Sequence, residues 1–254
     1  MAVFFSDLDR TLIYSHRHSI AGEKICVEYL NGREQSYMTG FTHNFLTGNP
    51  GFSLVPLTTR TEAQYRRLTC MDAMNVRQAI LCNGGKLLTD GAEDPDWTRE
   101  TIVAAEAELP ALYKAASLLR NSVGVAELHE PEPYMVYARC ENPPAICCLL
   151  RSEVDPVLVQ IAHDQRKVYL FCSSVNKGAA VRRFRKRFSV EYAIAAGDDS
   201  LDVPMLNEVD YAIAPVSIAN QVQHNRKSVL YGEMISDGIC RRLKEIITSR
   251  MKSH

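Results

Sequence analysis

Short apolar runs that end in polar turns recur along the chain, and they predict the strands of an α/β protein. Residues 3–5 are β-branched or aromatic, which indicates a strand buried on both faces. The runs FSLVPL (52–57) and QAIL (78–81) repeat this pattern, and residues 62–74 between them have helical spacing. The order strand, helix, strand favours a parallel sheet with crossover helices.

A second pattern, alternation of apolar and polar residues over positions 25–39, surrounds the dipeptide Asn31-Gly32. Asn-Gly between alternating segments is the strongest short-range signal for a β-hairpin. A hairpin is therefore predicted between the first two strands, and the sequence of the whole 16–45 region does not indicate what it does.

The pattern changes near residue 86 and changes back near residue 174. Helical spacing over 90–119 is interrupted at Pro110, strands are predicted over 133–140, 145–152 and 167–174, and a helix is predicted over 154–165. After residue 175 the α/β order resumes with a helix over 176–188 and strands near 193 and 212. We therefore predict a core formed by residues 1–85 and 175–254, with residues 86–174 inserted as an α+β domain.

Composition and charge exclude some classes of protein. The formal net charge of -1 argues against a protein that binds nucleic acid or an anionic membrane, since those partners favour a strongly basic surface. The basic run VRRFRKRF carries Val181, Phe184 and Phe188 at helical spacing, so it is better explained as the wet face of an amphipathic helix. No leader and no membrane-length apolar run is found, and the eight cysteines are scattered. A cytoplasmic protein with reduced cysteines is expected.

The candidate chemistry lies where the predicted strands end. Asp7 and Asp9 follow the first strand, and on their own they could simply cap a polar turn. Further polar residues follow the later strands or begin a helix: Thr58, Lys177, Asp198, Asp199 and Asp202. Ligands of open α/β sheets bind beyond the carboxyl ends of the strands, so these side chains are expected to converge. Carboxylates with an amine and a helix N-terminus suit a hard cation and a phosphate.

These segments together carry a family resemblance. The chain contains DLDRT (7–11), LTTR (57–60), NKGAAV (176–181) and GDDSLD (197–202) in that order. This combination resembles the haloacid dehalogenase superfamily of phosphohydrolases. CNGG and the insertion after it resemble the branch with a type IIB α/β cap, which includes Cof-like, sucrose-phosphate and mannosyl-phosphoglycerate phosphatases. The resemblance implies a doubly wound parallel-sheet core with an inserted cap domain.

The resemblance also implies roles for the residues at the strand ends. Asp7 would be the nucleophile that forms an aspartyl phosphate, and Asp9 would be the general acid and base. Thr58 and Lys177 would bind phosphoryl oxygens. Mg²⁺ would be held by Asp7, by Asp9 through its backbone carbonyl, and by Asp198.

Four further residues belong to this scheme. Asp202 would orient Lys177 or the metal-bound waters. Asp199 would contact the residues that form the site, without itself contacting the metal or the substrate. Arg10 stands where a glycine is common, and it could contact the leaving group or remain solvated or salt-bridged. Asn83 could contact the substrate or merely form a tight turn.

The sequence thus predicts a Mg²⁺-dependent phosphatase acting on a small phosphorylated metabolite, with a sugar phosphate as the favoured class, because a lid over the site excludes macromolecules. A phosphomutase with the same motifs and a non-catalytic regulatory protein with the same fold are the open alternatives. The identity of the ester and the oligomeric state are not indicated.

Overall fold

The computed structural model describes residues 2–48, 50–232 and 234–251. The strands are β1 (Ala2–Ser6), β2 (Tyr14–Ser15), β3 (Lys24–Leu30), β4 (Arg33–Thr39), β5 (Phe52–Pro56), β6 (Gln78–Leu81), β7 (Lys86–Thr89), β8 (Ala92–Glu93), β9 (Val125–Glu132), β10 (Met135–Cys140), β11 (Val159–His163), β12 (Lys167–Cys172), β13 (Ala193–Ala196), β14 (Tyr211–Pro215) and β15 (Lys227–Leu230). The helices are α1 (Gly40–Thr47), α2 (Glu62–Tyr65), α3 (Pro95–Ala105), α4 (Leu109–Arg120), α5 (Pro143–Glu153), α6 (Lys177–Arg187), α7 (Val203–Leu206) and α8 (Ser236–Met251).

The core is a five-stranded parallel sheet in the order β15-β14-β13-β1-β5. The interior strand β1 is buried on both faces, because Phe4 and Phe5 are fully buried in two separate clusters. Phe5 packs edge-on against Phe184 of α6, while the Phe4 cluster includes Leu243 of α8. Helices therefore cover both faces, and the prediction of a doubly wound α/β core is confirmed.

The predicted hairpin is present as β3 and β4, joined by Asn31-Gly32. Both turn residues have positive φ, 52° and 73°, a combination that Asn and Gly adopt more readily than other residues. Strand β2 completes a small sheet in the order β2-β4-β3. The β3–β4 register shifts on either side of Glu28, so the hairpin contains an irregularity at that residue.

The insertion contains a separate antiparallel sheet in the order β11-β12-β10-β9. Helices α4 and α5 pack on one face, over the buried side chains of Val168 and Leu170. The opposite face carries Tyr137 and Tyr169, which lie directly across from each other in the β10–β12 register. This sheet is the cap sheet named below.

Two predictions inside the insertion are wrong. The segment 145–152, predicted as a strand, belongs to helix α5, where Asn142 caps the first turn and Ile146, Cys147 and Leu150 form a buried stripe. The segment 154–165, predicted as a helix, contains β11, which pairs antiparallel with β12 from Val159 onward. In both cases a short apolar run was compatible with either structure, and partners distant in sequence decided between them.

Two further differences occur before the insertion. Helical spacing over 62–74 produces only the short α2, because the following chain docks on the hairpin instead: Leu68 bridges to Glu28, and the Thr69 amide donates to the Val27 carbonyl at 2.9 Å. Strand β6 is not part of the core sheet in the described residues: it meets that sheet at a parallel bridge between Leu57 and Ile80 and pairs antiparallel with β7.

The boundaries of the insertion at residues 86 and 174 stay a prediction. Helix α3, which lies inside those boundaries, packs against α6 of the core through Trp97, whose ring lies 3.4 Å from the Arg183 guanidinium carbon. In the described ranges, no helix combines the length and the apolar character needed to cross a membrane.

Candidate active site

Three carboxylates meet at the carboxyl end of the core sheet. Asp7 follows β1, and Asp198 and Asp202 follow β13, which is paired directly with β1. One oxygen of each carboxylate lies within 4.8 Å of the others. The convergence predicted from the strand ends is therefore present for these residues.

Lys177 lies between two of these acids, at the first residue of α6. Its Nζ donates to Asp7 Oδ1 at 2.7 Å and to Asp202 Oδ1 at 2.5 Å, and the side chain is buried. Burial alone would lower the pKa of Lys177, but the two carboxylates outweigh burial and hold it above its ordinary value. The amine therefore stays protonated.

In a simple ion pair the pKa of the carboxyl group is lowered, but the pKa of Asp7 is raised. Burial, together with repulsion from Asp202, Asp198 and Asp9, raises the pKa well above the ordinary value, although Lys177 opposes the rise. A carboxylate in such a position gains from any additional positive charge.

The turn after β13 is shaped by Asp202. Its Oδ2 accepts the amides of Asp198 and Asp199 at 2.9 and 3.0 Å, which fixes the backbone that carries both acids. Gly197 permits this arrangement, since a Cβ at that position would lie 2.3 Å from the Cβ of Asp202. Asp202 thus contacts both Lys177 and the turn.

Asp198 is contacted by two residues of the first motif. Thr11 Oγ1 donates to Asp198 Oδ1 at 3.0 Å, and Arg10 Nε lies 3.1 Å from Asp198 Oδ2. Burial and the nearby Asp202 nevertheless raise the pKa of Asp198 to about 7.

Arg10 also pairs with Asp199, at 3.1 Å from its Oδ2. The geometry thus favours the salt-bridged alternative for Arg10, whose φ of 65° lies in the left-handed region that glycine adopts most readily. Although burial would raise the pKa of Asp199, hydrogen bonds from Ser200 and Leu201 together with Arg10 lower it. Asp199 therefore stays ionised beside Arg10.

Asp9 does not join the carboxylate cluster through its side chain. Arg60 Nε donates to Asp9 Oδ2 at 2.7 Å and Arg60 Nη2 donates to Asp9 Oδ1 at 2.8 Å, so the two side chains form a bidentate pair. Desolvation would raise the pKa of Asp9, but this guanidinium outweighs it and lowers the pKa. Asp9 is therefore held as a carboxylate in this conformation.

Thr58 and Asn83 lie close together at the end of β5. Thr58 is fully buried, and its Oγ1 accepts the Arg60 amide at 3.2 Å. The backbone amide of Asn83 donates to the Thr58 carbonyl, and its side-chain Nδ2 donates to the Val175 carbonyl at 3.1 Å. Asn83 is also fully buried, with a φ of 60°, so the geometry favours its alternative role as a turn residue.

The donor set fits a small hard cation. The ligand atoms available from Asp7, Asp198 and Asp202 are all carboxylate oxygens, which Mg²⁺ prefers over nitrogen or sulfur donors. The side chain of Asp9 is committed to Arg60, so only its backbone carbonyl is left for the predicted metal role. The roles predicted for all these residues stay predictions.

The face of the cap sheet that carries Tyr137 and Tyr169 also carries Lys167. Lys167 Nζ lies 5.0 Å from the ring centre of Tyr137 and 6.0 Å from that of Tyr169. Lys167 contributes to lowering the pKa of Asp9, and Asp9 in turn opposes the lowering of the Lys167 pKa by burial, so the cap lysine lies near enough to act on the first motif electrostatically. Across the described ranges, no carboxylate lies within ion-pair distance of this ammonium. Arg139, which pairs directly with Lys167 in the β10–β12 register, adds a second positive charge to this aromatic face.

Three contacts of the site were not predicted from the sequence. Thr11 lies in the motif DLDRT and Arg60 lies in LTTR, so the sequence drew attention to both residues, but it did not indicate which residues they contact. Glu28, which contacts Arg60, lies in the hairpin, and nothing in an alternating strand marks one carboxylate as buried.

Solved structures with the same architecture cover nearly the whole chain. The sucrose-phosphatase of Synechocystis sp. PCC6803, solved with sucrose and phosphate, matches 94% of this chain and 96% of its own at 13% identity, with a TM-score of 0.61. The sugar phosphatase BT4131 of haloacid dehalogenase subclass IIB matches 97% and 99% at 13% identity, with a TM-score of 0.65. A haloacid dehalogenase-like hydrolase from B. subtilis matches 96% and 99% at 14% identity, with a TM-score of 0.59.

Comparisons of sequence alone add nothing to this picture, because no protein-family model and no curated protein matches the chain. At such low identity the structural matches show the fold, and they do so over both the parallel core and the cap sheet. The chain therefore has the fold of the haloacid dehalogenase superfamily, in the arrangement of subclass IIB.

Proposed function

We propose that the protein is a Mg²⁺-dependent phosphatase that hydrolyses a small phosphorylated metabolite, with a sugar phosphate as the favoured class. One observation carries the proposal: Asp7 contacts Lys177 and shares a cluster with Asp198 and Asp202 at the carboxyl edge of the sheet. This arrangement supports roles for Asp7 as the nucleophile, for Lys177 as the amine that binds the phosphate and for the acidic cluster as the cation site, all acting on one phosphoryl group.

In the first half of the reaction, a carboxylate oxygen of Asp7 attacks phosphorus and the ester P–O bond breaks. Lys177 and Thr58 bind the phosphoryl oxygens. Asp9, once it has taken up a proton from solvent and released its bidentate contact with Arg60, donates that proton to the departing alkoxide oxygen. When bound, Mg²⁺ would supply positive charge that offsets the repulsion between Asp7 and the anionic ester.

In the second half, Asp9 accepts a proton from water, whose oxygen attacks phosphorus and displaces the Asp7 carboxylate. Inorganic phosphate leaves, and Asp7 is regenerated. The bidentate pair with Arg60 suits this half of the cycle, since it favours the carboxylate form of Asp9.

The cap face supports a polar, ring-shaped leaving group. Aromatic side chains provide apolar faces on which a sugar ring can lie, and an ammonium without a carboxylate partner can donate to hydroxyl or anionic oxygens. Tyr169 is held in place by a hydrogen bond of 2.9 Å from its hydroxyl to Asp164 Oδ2. The favoured ester therefore carries a hydroxylated leaving group that reaches Lys167 and the tyrosines of the cap sheet.

The test is a screen for phosphate release from many phosphorylated metabolites in the presence of Mg²⁺, with the Asp7→Asn variant as the blank. Net release from sugar phosphates that the variant does not produce would support the proposal. Transfer to an acceptor sugar without net release would favour a mutase, and no turnover of any ester would favour a regulatory protein.

Lys167→Met is expected to raise KM for the preferred metabolite about tenfold, the equivalent of one charge-assisted hydrogen bond of roughly 1.5 kcal/mol. The ammonium is predicted to bind the leaving group and not the phosphoryl group, so p-nitrophenyl phosphate should be affected less than about threefold. Steady-state kinetics on both esters measures the difference.

Lys114→Met is the matched control for this substitution, because Lys114 lies exposed on α4 of the same insertion. It should leave both esters unchanged. Equal loss of activity on the two esters in Lys167→Met would show that Lys167 does not act through the leaving group.

A further inference from the structure

Two cations face each other across neighbouring strands of the cap sheet. Arg139 of β10 lies directly opposite Lys167 of β12, two residues along from the pair formed by Tyr137 and Tyr169. Because side chains alternate along a strand, the cationic pair and the aromatic pair project from the same face of the sheet. Like charges directly opposite each other destabilise an antiparallel pair, so an anion bound between these two cations would offset a cost within the cap sheet.

The acids beside these two cations already have other partners. Asp164 accepts the backbone amide of Lys167 at 2.8 Å, and Glu127, which lies opposite Arg139 on β9, contacts His129 Nε2 at 3.2 Å. Among the residues that the structure describes, no carboxylate lies within ion-pair distance of the Lys167 ammonium or of the Arg139 guanidinium. Lys167 is half-buried and Arg139 is exposed. The cap therefore holds two positive charges that its own acids do not pair.

The acids of the core near this face are paired with arginines. Asp9, whose charge acts on the pKa of Lys167, accepts two hydrogen bonds from Arg60 at 2.7 and 2.8 Å. Glu28 lies 3.0 Å from Arg60 and 3.1 Å from Arg67. Since each of these carboxylates already has a guanidinium partner, the positive charge of the cap face remains for a ligand.

We propose that the leaving group of the ester carries a second anionic group, a carboxylate or a phosphate, which Lys167 and Arg139 bind. The proposal rests on the proposed function, because it takes the phosphoryl group to lie at Asp7 and Lys177. A guanidinium and an ammonium can donate charge-assisted hydrogen bonds to different oxygens of one anion. The carbon skeleton then lies between two anionic ends, against the tyrosines of the cap sheet.

Three esters with the same pyranose ring and the same C1 phosphate test the proposal: glucose 1-phosphate, glucuronic acid 1-phosphate and glucose 1,6-bisphosphate. They differ only at C6, which carries a hydroxyl group, is a carboxylate, or carries a phosphate. Calorimetric titration uses the Asp7→Asn variant with Mg²⁺, so that binding is measured without hydrolysis. We expect the better of the two anionic esters to bind about 30-fold more tightly than glucose 1-phosphate. The ranking of the two anionic esters distinguishes a carboxylate from a phosphate.

Substitutions in the same background locate the preference. Lys167→Met should reduce it about tenfold, and Arg139→Met, at a more exposed position, about fivefold. Inorganic phosphate, which occupies only the phosphoryl position, should bind equally well with and without these substitutions. Lys114→Met and Arg120→Met are the matched controls, because Lys114 is exposed on α4 and Arg120 at the end of that helix pairs with Glu130. Both controls should keep the full preference.

Equal affinity for the three esters, or no binding of any of them, would overturn the proposal. A preference that survives both Lys167→Met and Arg139→Met would also overturn it. Phosphate release by the wild-type protein tests the proposed function separately. Turnover of sugar phosphates with no preference for an anionic leaving group would keep the phosphatase and reject the second anion, whereas preferential binding without turnover would reject the phosphatase and keep the anion site.

Discussion

Phosphate release by Asp7→Asn is expected to fall on the order of 10⁴-fold or more, because an amide has the shape of the carboxylate but is a poor nucleophile. Asp7 is the acid that contacts Lys177 from the end of β1, and no other carboxylate of the cluster occupies that position. Steady-state assays with the preferred ester measure the loss. Asp96→Asn, an exposed change on α3, serves as the control and should retain full activity.

The same variant should keep or gain stability when no metal is added. The pKa of Asp7 is raised in the folded protein, so its ionisation costs stability as the pH rises from the ordinary range near 4 towards the raised value. Asp7→Asn removes that cost, although Lys177 loses one of its two partners. Urea unfolding of both proteins at two pH values measures the effect. Residual turnover within tenfold of wild type would contradict the nucleophile assignment.

Removal of divalent metal by a chelator is expected to abolish turnover, with Mg²⁺ restoring it and Ca²⁺ inhibiting. Mg²⁺ takes six oxygen ligands at about 2.0 to 2.1 Å, whereas Ca²⁺ accepts more ligands at about 2.3 to 2.6 Å and tolerates bidentate carboxylates. Ca²⁺ could therefore engage both oxygens of Asp7, including the one that must attack phosphorus. Titration of activity with each metal measures the difference.

Asp198→Ala should raise the Mg²⁺ concentration needed for half-maximal activity by about tenfold or more, because it removes one of three clustered carboxylates. Asp199→Asn is the matched comparison, since it keeps an oxygen able to cap the following turn and should have a smaller effect. Equal turnover with the two metals, or full activity in the chelator, would show that Asp7 and Asp198 do not share a cation.

The core and the acidic cluster were predictable because both depend on local pattern. An apolar run ending in a polar turn marks a strand end, and parallel strands bring their ends to one edge, so the pattern of strand ends is enough to place Asp7 and Asp198 together. The hairpin was predictable for a similar reason, since Asn31-Gly32 itself adopts the backbone that the turn needs.

The errors occurred where contacts distant in sequence decided the outcome. Residues 145–152 and 154–165 are apolar segments compatible with helix or strand, and the cap sheet determined which formed. The buried acid at residue 28 escaped notice for a related reason. Its environment depends on a register shift and on Arg60, and neither follows from the spacing of residues along β3.

The interior position of β1 in the core sheet, between β13 and β5, links its folding to late stages of synthesis. On one side β1 pairs with β5, but its other neighbour is β13, with Val3 opposite Ala193. On the ribosome, a nascent chain that has not reached residue 193 leaves one edge of this apolar strand unpaired, and such edges invite aggregation. The core sheet can therefore be completed only after the cap has been translated. Truncated chains that end within α6 should accordingly depend most on chaperones.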